Sequence, residues 1–225
     1  MSSEIVLLQG KEYKINQYIT LCNPTLDEIV NSDENTYYAT VHMICSTPSD
    51  YLVFLNDELG VDWEKISEYE WFITMIQNIS KEDIGRVFSN FNIDNLNWAS
   101  NDKTNKISLI DADGNEIFNE QTYYKIVDLL RWLHGLEKNT RISGNQNAHD
   151  AIIRSERKKN KRQQYMRSKN KCESVLSPMV STLVNLEGFK YDYSSVWNMH
   201  IYQFTDAIKQ MQKIKHYNHL KIRCD

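Results

Sequence analysis

Apolar residues recur at three- and four-residue intervals along most of this chain, and that spacing predicts helices with one buried face. Trp63, Ile66, Tyr69, Ile73 and Ile76 form one such stripe, with Asp62 placed as its cap. Tyr123, Ile126, Val127, Leu130 and Leu133 form a second, with Gly135 near its end. A third, Leu176, Met179, Val180, Leu183 and Val184, surrounds Ser177-Pro178, which reads as a cap followed by proline at the first helical position. In a last helix, capped by Ser194 or Ser195, Trp197, Ile201, Phe204, Ile208 and Met211 keep the same spacing over four turns. Shorter helices are predicted over Thr25 to Val30 (Asn23 as cap), Asp50 to Leu59 and Ser80 to about Phe91.

Two stretches break this period. Ile5 to Leu8 and Tyr13 to Ile19 flank a short connection containing Gly10, which predicts a hairpin at about 5–19. Lys106 to Ile110 and Glu116 to Phe118 flank Asp113-Gly114, which predicts another at 106–118. The expected fold class is therefore mainly α with small β-hairpins, an α+β chain with a helical bundle-like core. Polar residues 139 to 147 suggest a boundary between an N-terminal domain, 1–138, and a C-terminal helical region, 148–225.

Composition narrows this further. At 225 residues and 41% apolar content the chain can bury a core, which excludes a disordered protein. Only 7 Gly and 3 Pro favour helices over a many-turned sandwich. Cys22, Cys45, Cys172 and Cys224 lack paired spacing, as expected of reduced thiols in a cytosol. The first ten residues carry no signal-peptide pattern, and no apolar run approaches the roughly 18 residues of a membrane span.

Charge is uneven. The segment 154–171 holds nine Lys or Arg (Arg154, Arg157, Lys158, Lys159, Lys161, Arg162, Arg167, Lys169, Lys171) against Glu156 alone, a net +8. With −4 for the whole chain, the remainder carries −12. A basic helix of this kind can contact phosphate, a protein partner or solvent. The acidic remainder opposes long-range attraction of nucleic acid, so protein contact or plain solubility is the expected use.

Templates for chemistry fail one after another. Asp111 to Asn115 places its Gly fourth and Thr122 twelfth, which does not match a calcium loop. His216, His219 and Cys224 have no preceding Cys pair at zinc-finger spacing. No nucleophile elbow, phosphate-cradling loop or dinucleotide fingerprint is present. The expectation is a non-enzymatic protein with no cofactor, metal or catalytic residues. Its interaction candidates are the basic residues Arg154, Arg157, Lys158, Lys159, Lys161, Arg162 and Arg167, with Trp197, Ile201, Phe204, Ile208 and Met211 as the segment for a subunit contact. The alternative for that apolar segment is docking on Leu176 to Val184 as a helical hairpin.

Two stretches carry a family resemblance. Asn23 to Val30, with Thr47-Pro48-Ser49-Asp50 and the turn Gly60-Val61-Asp62, resembles tail-module proteins of tailed bacteriophages of low-GC Gram-positive hosts. Val184 to Tyr193, followed by Ile201-Tyr202-Gln203-Phe204, is similar to the same group. The resemblance implies a tail assembly chaperone that binds the tape measure and tail tube proteins in the host cytoplasm. A neck or baseplate component of the virion, or a nucleic-acid-binding regulator using 154–171, remains as an alternative, and homo-oligomerisation stays open. Such proteins run on past the last helix, whereas this sequence stops at Asp225, as either a frameshift product or a truncation would.

Overall fold

The computed structural model describes residues 3–91, 96–101, 106–169 and 174–222. The described chain is mainly helical, with two small antiparallel sheets, an α+β architecture in agreement with the expected class.

The N-terminus corrects the first expected hairpin. Ser3–Leu8 is a helix, α1, and only the short strands β1 (Tyr13–Lys14) and β2 (Thr20–Leu21) pair beyond it. A run of four apolar residues has no period of its own, so it fits either structure. The deciding feature is Gly10 at φ 73°, whose N–H reaches Leu7 C=O while Lys11 N–H reaches Val6 C=O. That pair of bonds is a Schellman closure, so Gly10 ends a helix instead of turning a hairpin. Leu7 is thereby sealed in the core.

The next helices owe their starts to side-chain caps. Thr25 and Glu28 form a reciprocal capping box at α2 (Leu26–Asn31), so the cap is Thr25 and not Asn23. Asn23 is buried instead, donating to Leu7 C=O and accepting from Tyr202 N–H. Asp33 caps α3 (Glu34–Cys45). Thr47 and Asp50 box a 3-10 turn, Pro48–Tyr51, that leads into α4 (Leu52–Asp57).

The stripe from Trp63 to Ile76 is divided. Asp62 caps only a 3-10 turn, Trp63–Lys65, and Ser67 with Glu70 boxes a new helix, α5 (Glu68–Ile76). Ser80 caps α6 (Lys81–Val87), which stops short of Phe91. Phe88 turns extended and bridges to Leu21, continuing the first sheet.

In the second sheet β3 (Asn97–Asn101) pairs with β4 (Lys106–Ile110), and β4 pairs with β5 (Glu116–Phe118), with an irregularity between Leu109 and Ile110. The strand β3 was not expected. Asp111 accepts from Asp113 and Asn115 N–H within the connecting turn. Asn119 then caps α7 (Glu120–His134), and Gly135 closes it at φ 67°. All five residues of the α7 stripe are buried.

Beyond residues 139–147 come α8 (Gln146–Lys169), α9 (Leu176–Val184), a 3-10 turn at Val196–Asn198 and α10 (Ile201–Ile222). Trp197 belongs to the turn and not to the last helix. The polar stretch does not separate two cores. The main cluster joins Leu7, Tyr37, Phe72 and Tyr123 to Leu176, Val196, Ile201 and Phe204. A second, smaller cluster joins Leu52, Trp63 and Trp71 to Ile153 of α8.

Candidate functional site

The last helix is fixed to the body at its root. Ile201 N–H donates to Pro24 C=O and Leu26 N–H to Met199 C=O, so the entry to α10 is bonded to the segment entering α2. His200 N–H donates to Gln203 Oε1, which satisfies one exposed donor at the start of α10. Tyr202 packs on Trp132 at 4.4 Å between ring centroids. Lys209 Nζ donates to Trp132 C=O at 3.0 Å, placing a cation at the negative end of α7. Ile201 and Phe204 are therefore interior residues of this chain, and the structure leaves neither for a partner.

Past that root the helix opens a groove. Met179, Leu183 and Leu186 face Ile208 and Met211 across a trough of about 470 Å³, with Lys215 on its rim. Of the apolar candidates, Ile208 and Met211 thus line a partly accessible surface, on the side of the trough opposite α9. The start of α9 is held by Glu34, whose carboxylate accepts from Leu176 N–H and from the Ser174 hydroxyl. The link crosses more than 140 residues of sequence and has no local signature. Asp192 fixes the chain between α9 and α10. Its carboxylate accepts from the backbone and hydroxyls of Ser194 and Ser195, which holds it well below the usual carboxylate range.

The first half of the basic helix is anchored to the body. Ile152 and Ile153 pack on the smaller cluster, and His149 stacks on Trp63 at 4.2 Å. Arg157 forks onto Asp57, while Glu156 takes Arg141 at 2.7 Å and Lys159 at 2.9 Å. Burial opposes and these cations favour the Glu156 carboxylate, and its pKa ends below the usual value. From Lys161 to Met166 every side chain is exposed. Arg154, Lys158, Lys161 and Arg162 form no ion pair among the described residues. The side chains of Arg167 and Lys169 lie outside the described set, as does residue Lys171.

A polar cleft of about 530 Å³ lies beside Thr47, Ser49 and Trp63. Its polar groups serve to fasten residues 139–143 down. Thr47 donates to Asn139 C=O, Arg141 N–H to Ser49 Oγ, and Trp63 Nε1 to Arg141 C=O. Burial pushes the thiols of Cys22 and Cys45 up to about 12, which keeps them protonated at neutral pH. Cys172 and Cys224 lie outside the described residues. Among the described residues no group of three His, Cys, Asp or Glu could hold a metal ion, and no helix is long and apolar enough to cross a membrane.

The comparisons bear on the same region. The family model for the YomV second domain matches residues 162–223, somewhat over a quarter of the chain. That family is associated with Bacillus phage, and the match agrees with a phage protein. It spans α8 from Arg162 on and all of α9 and α10, and hence every apolar residue of the groove. No curated protein and no solved structure matches the chain.

Proposed function

We propose that this chain is a non-enzymatic phage protein that works by contact with other phage proteins, in the tail-assembly role that the resemblance implies. The observation that carries the reading is the coincidence of the groove with the phage-associated match. Four apolar side chains, Met179, Leu186, Ile208 and Met211, stay partly accessible over a floor that includes the buried Leu183, on helices whose root is tied down by backbone and side-chain bonds. A rigid platform with a flexible, methionine-bearing apolar trough suits the apolar face of a partner helix. The proposed occupant is a helical segment of a tail protein, with the tape measure protein as the first choice, held for assembly in the host cytoplasm.

Co-expression tests this. The full chain should co-elute from a sizing column with the tape measure or tail tube protein of its own phage. Met179→Asp with Met211→Asp, which puts two carboxylates into the trough, should abolish co-elution and leave the helical signal unchanged. Co-elution that survives both substitutions overturns the groove as the contact surface. Detection of the chain at stoichiometric levels in purified particles would replace the assembly role with that of a virion component.

A further inference from the structure

The groove leaves the cations of α8 without a use, and their arrangement is more ordered than the sequence alone conveys. At about 100° per residue, Arg154, Lys158, Lys161, Arg162 and Tyr165 share one face, an arc of about 100°. The opposite face carries Ile153 and Glu156, which are turned into the body. Among the described side chains, the two cations off this stripe pair with the body: Arg157 with Asp57, and Lys159 with Glu156, which it shares with Arg141. What remains outward is a line of four uncompensated charges, and its length to Tyr165 is roughly 16 Å.

The geometry points to a duplex nucleic-acid backbone as the partner of this stripe. A protein partner is the competing occupant, and the composition argues against it. Protein interfaces centre on apolar anchors and are depleted in Lys, whereas protein–DNA interfaces are far more polar and positive. Here the stripe offers two Arg, two Lys and one half-exposed Tyr, and no aliphatic side chain. Guanidinium forks at Arg154 and Arg162 suit phosphate oxygens bidentately, with lysines as point charges between them. A helix of about 10–12 Å diameter also fits a major groove about 12 Å wide. The −12 of the remaining chain repels phosphate, which weakens long-range attraction and confines the contact to the stripe. Contacts of this type position the helix and carry no sequence information, so binding is sequence-tolerant.

The test titrates the full chain with a mixed-sequence DNA duplex of about 25 base pairs at about 50 and 200 mM salt. Four neutralised phosphates give a slope of about −3.6 in log K against log salt, close to a hundredfold loss over that range. Arg154→Gln, Lys158→Gln, Lys161→Gln and Arg162→Gln together should weaken binding at the lower salt at least tenfold. Removing the same charge elsewhere, at Lys11, Lys14, Lys65 and Lys190, should change it much less. No binding at the lower salt, or equal losses in both variants, overturns the assignment. A polyglutamate probe that binds as tightly as the duplex overturns it too, in favour of an acidic protein. This proposal is independent of the groove, since the aspartate substitutions there should leave DNA binding unchanged.

Discussion

Gly10 shows how much one residue without a side chain decides. Its φ of 73° lies in the left-handed region, and a Cβ there would stand 2.4 Å from the ring of His200. That ring is itself bonded to Asn23 C=O, so it cannot easily move aside. Gly10→Ala should therefore cost about 2 kcal/mol or more, the left-handed penalty of about 1–2 with an added displacement of His200. Gly114 has a similar φ of 82° but open space around it, and Gly114→Ala should cost only about 1 kcal/mol. Denaturant unfolding of both variants checks the difference; equal losses would mean that the His200 contact carries no energy. The residue was visible in the sequence as a turn signal, but the kind of turn was not. Glycine closes helices and hairpins alike, and the four apolar residues before it have no period to choose between them.

At the scale of elements, α3 and α7 are joined by a part-buried pair. His134 Nδ1 donates to Leu130 C=O and its Nε2 accepts from the Tyr37 hydroxyl, both at 2.9 Å, with the ring neutral. Burial lowers its pKa to about 4 from an ordinary 6.5. The unfolded chain thus takes up a proton between those values while the folded chain does not. Stability contributed at this site is full above about pH 6.5 and falls as pH drops towards 4, by up to about 1.4 kcal/mol per unit. Unfolding free energies at pH 7 and 5.5 should show this fall, and His134→Gln should flatten that part of the profile. A slope unchanged in the variant would assign the acid sensitivity to other groups.

The elements themselves were legible to different degrees, for physical reasons. The α7 stripe and its glycine closure are local, and so were readable. The α5 stripe was readable as a face but not as two pieces, because the break depends on Ser67 and Glu70 forming a capping box. The strand β3 has little apolar content, and its partner strand is what makes it a strand. The anchors Asp57 of α8 and Glu34 of α9 lie far away in sequence, and no spacing rule reaches them. Trp197, Ile201 and Phe204 showed the right periodicity for a contact helix. Periodicity marks a buried face without saying whether this chain or another covers it. Here this chain covers Ile201 and Phe204, and leaves Ile208 and Met211 lining the open groove.

At the scale of the molecule, both candidate contact surfaces lie in the C-terminal third. Its first turns are built into the common core, which fixes them in place, and its outer faces are left apolar on α9 and α10 and cationic on α8. A protein that binds through an orientated platform needs both features, a rigid root and an uncovered face. The central claim is that the uncovered apolar face, and not the core-facing turn of α10, receives another phage protein. Hydrogen–deuterium exchange of the full chain, with and without the tape measure protein of its phage, tests this most directly. The account predicts new protection confined to 179–186 and 208–215. Protection elsewhere, with those two segments unchanged, would contradict it.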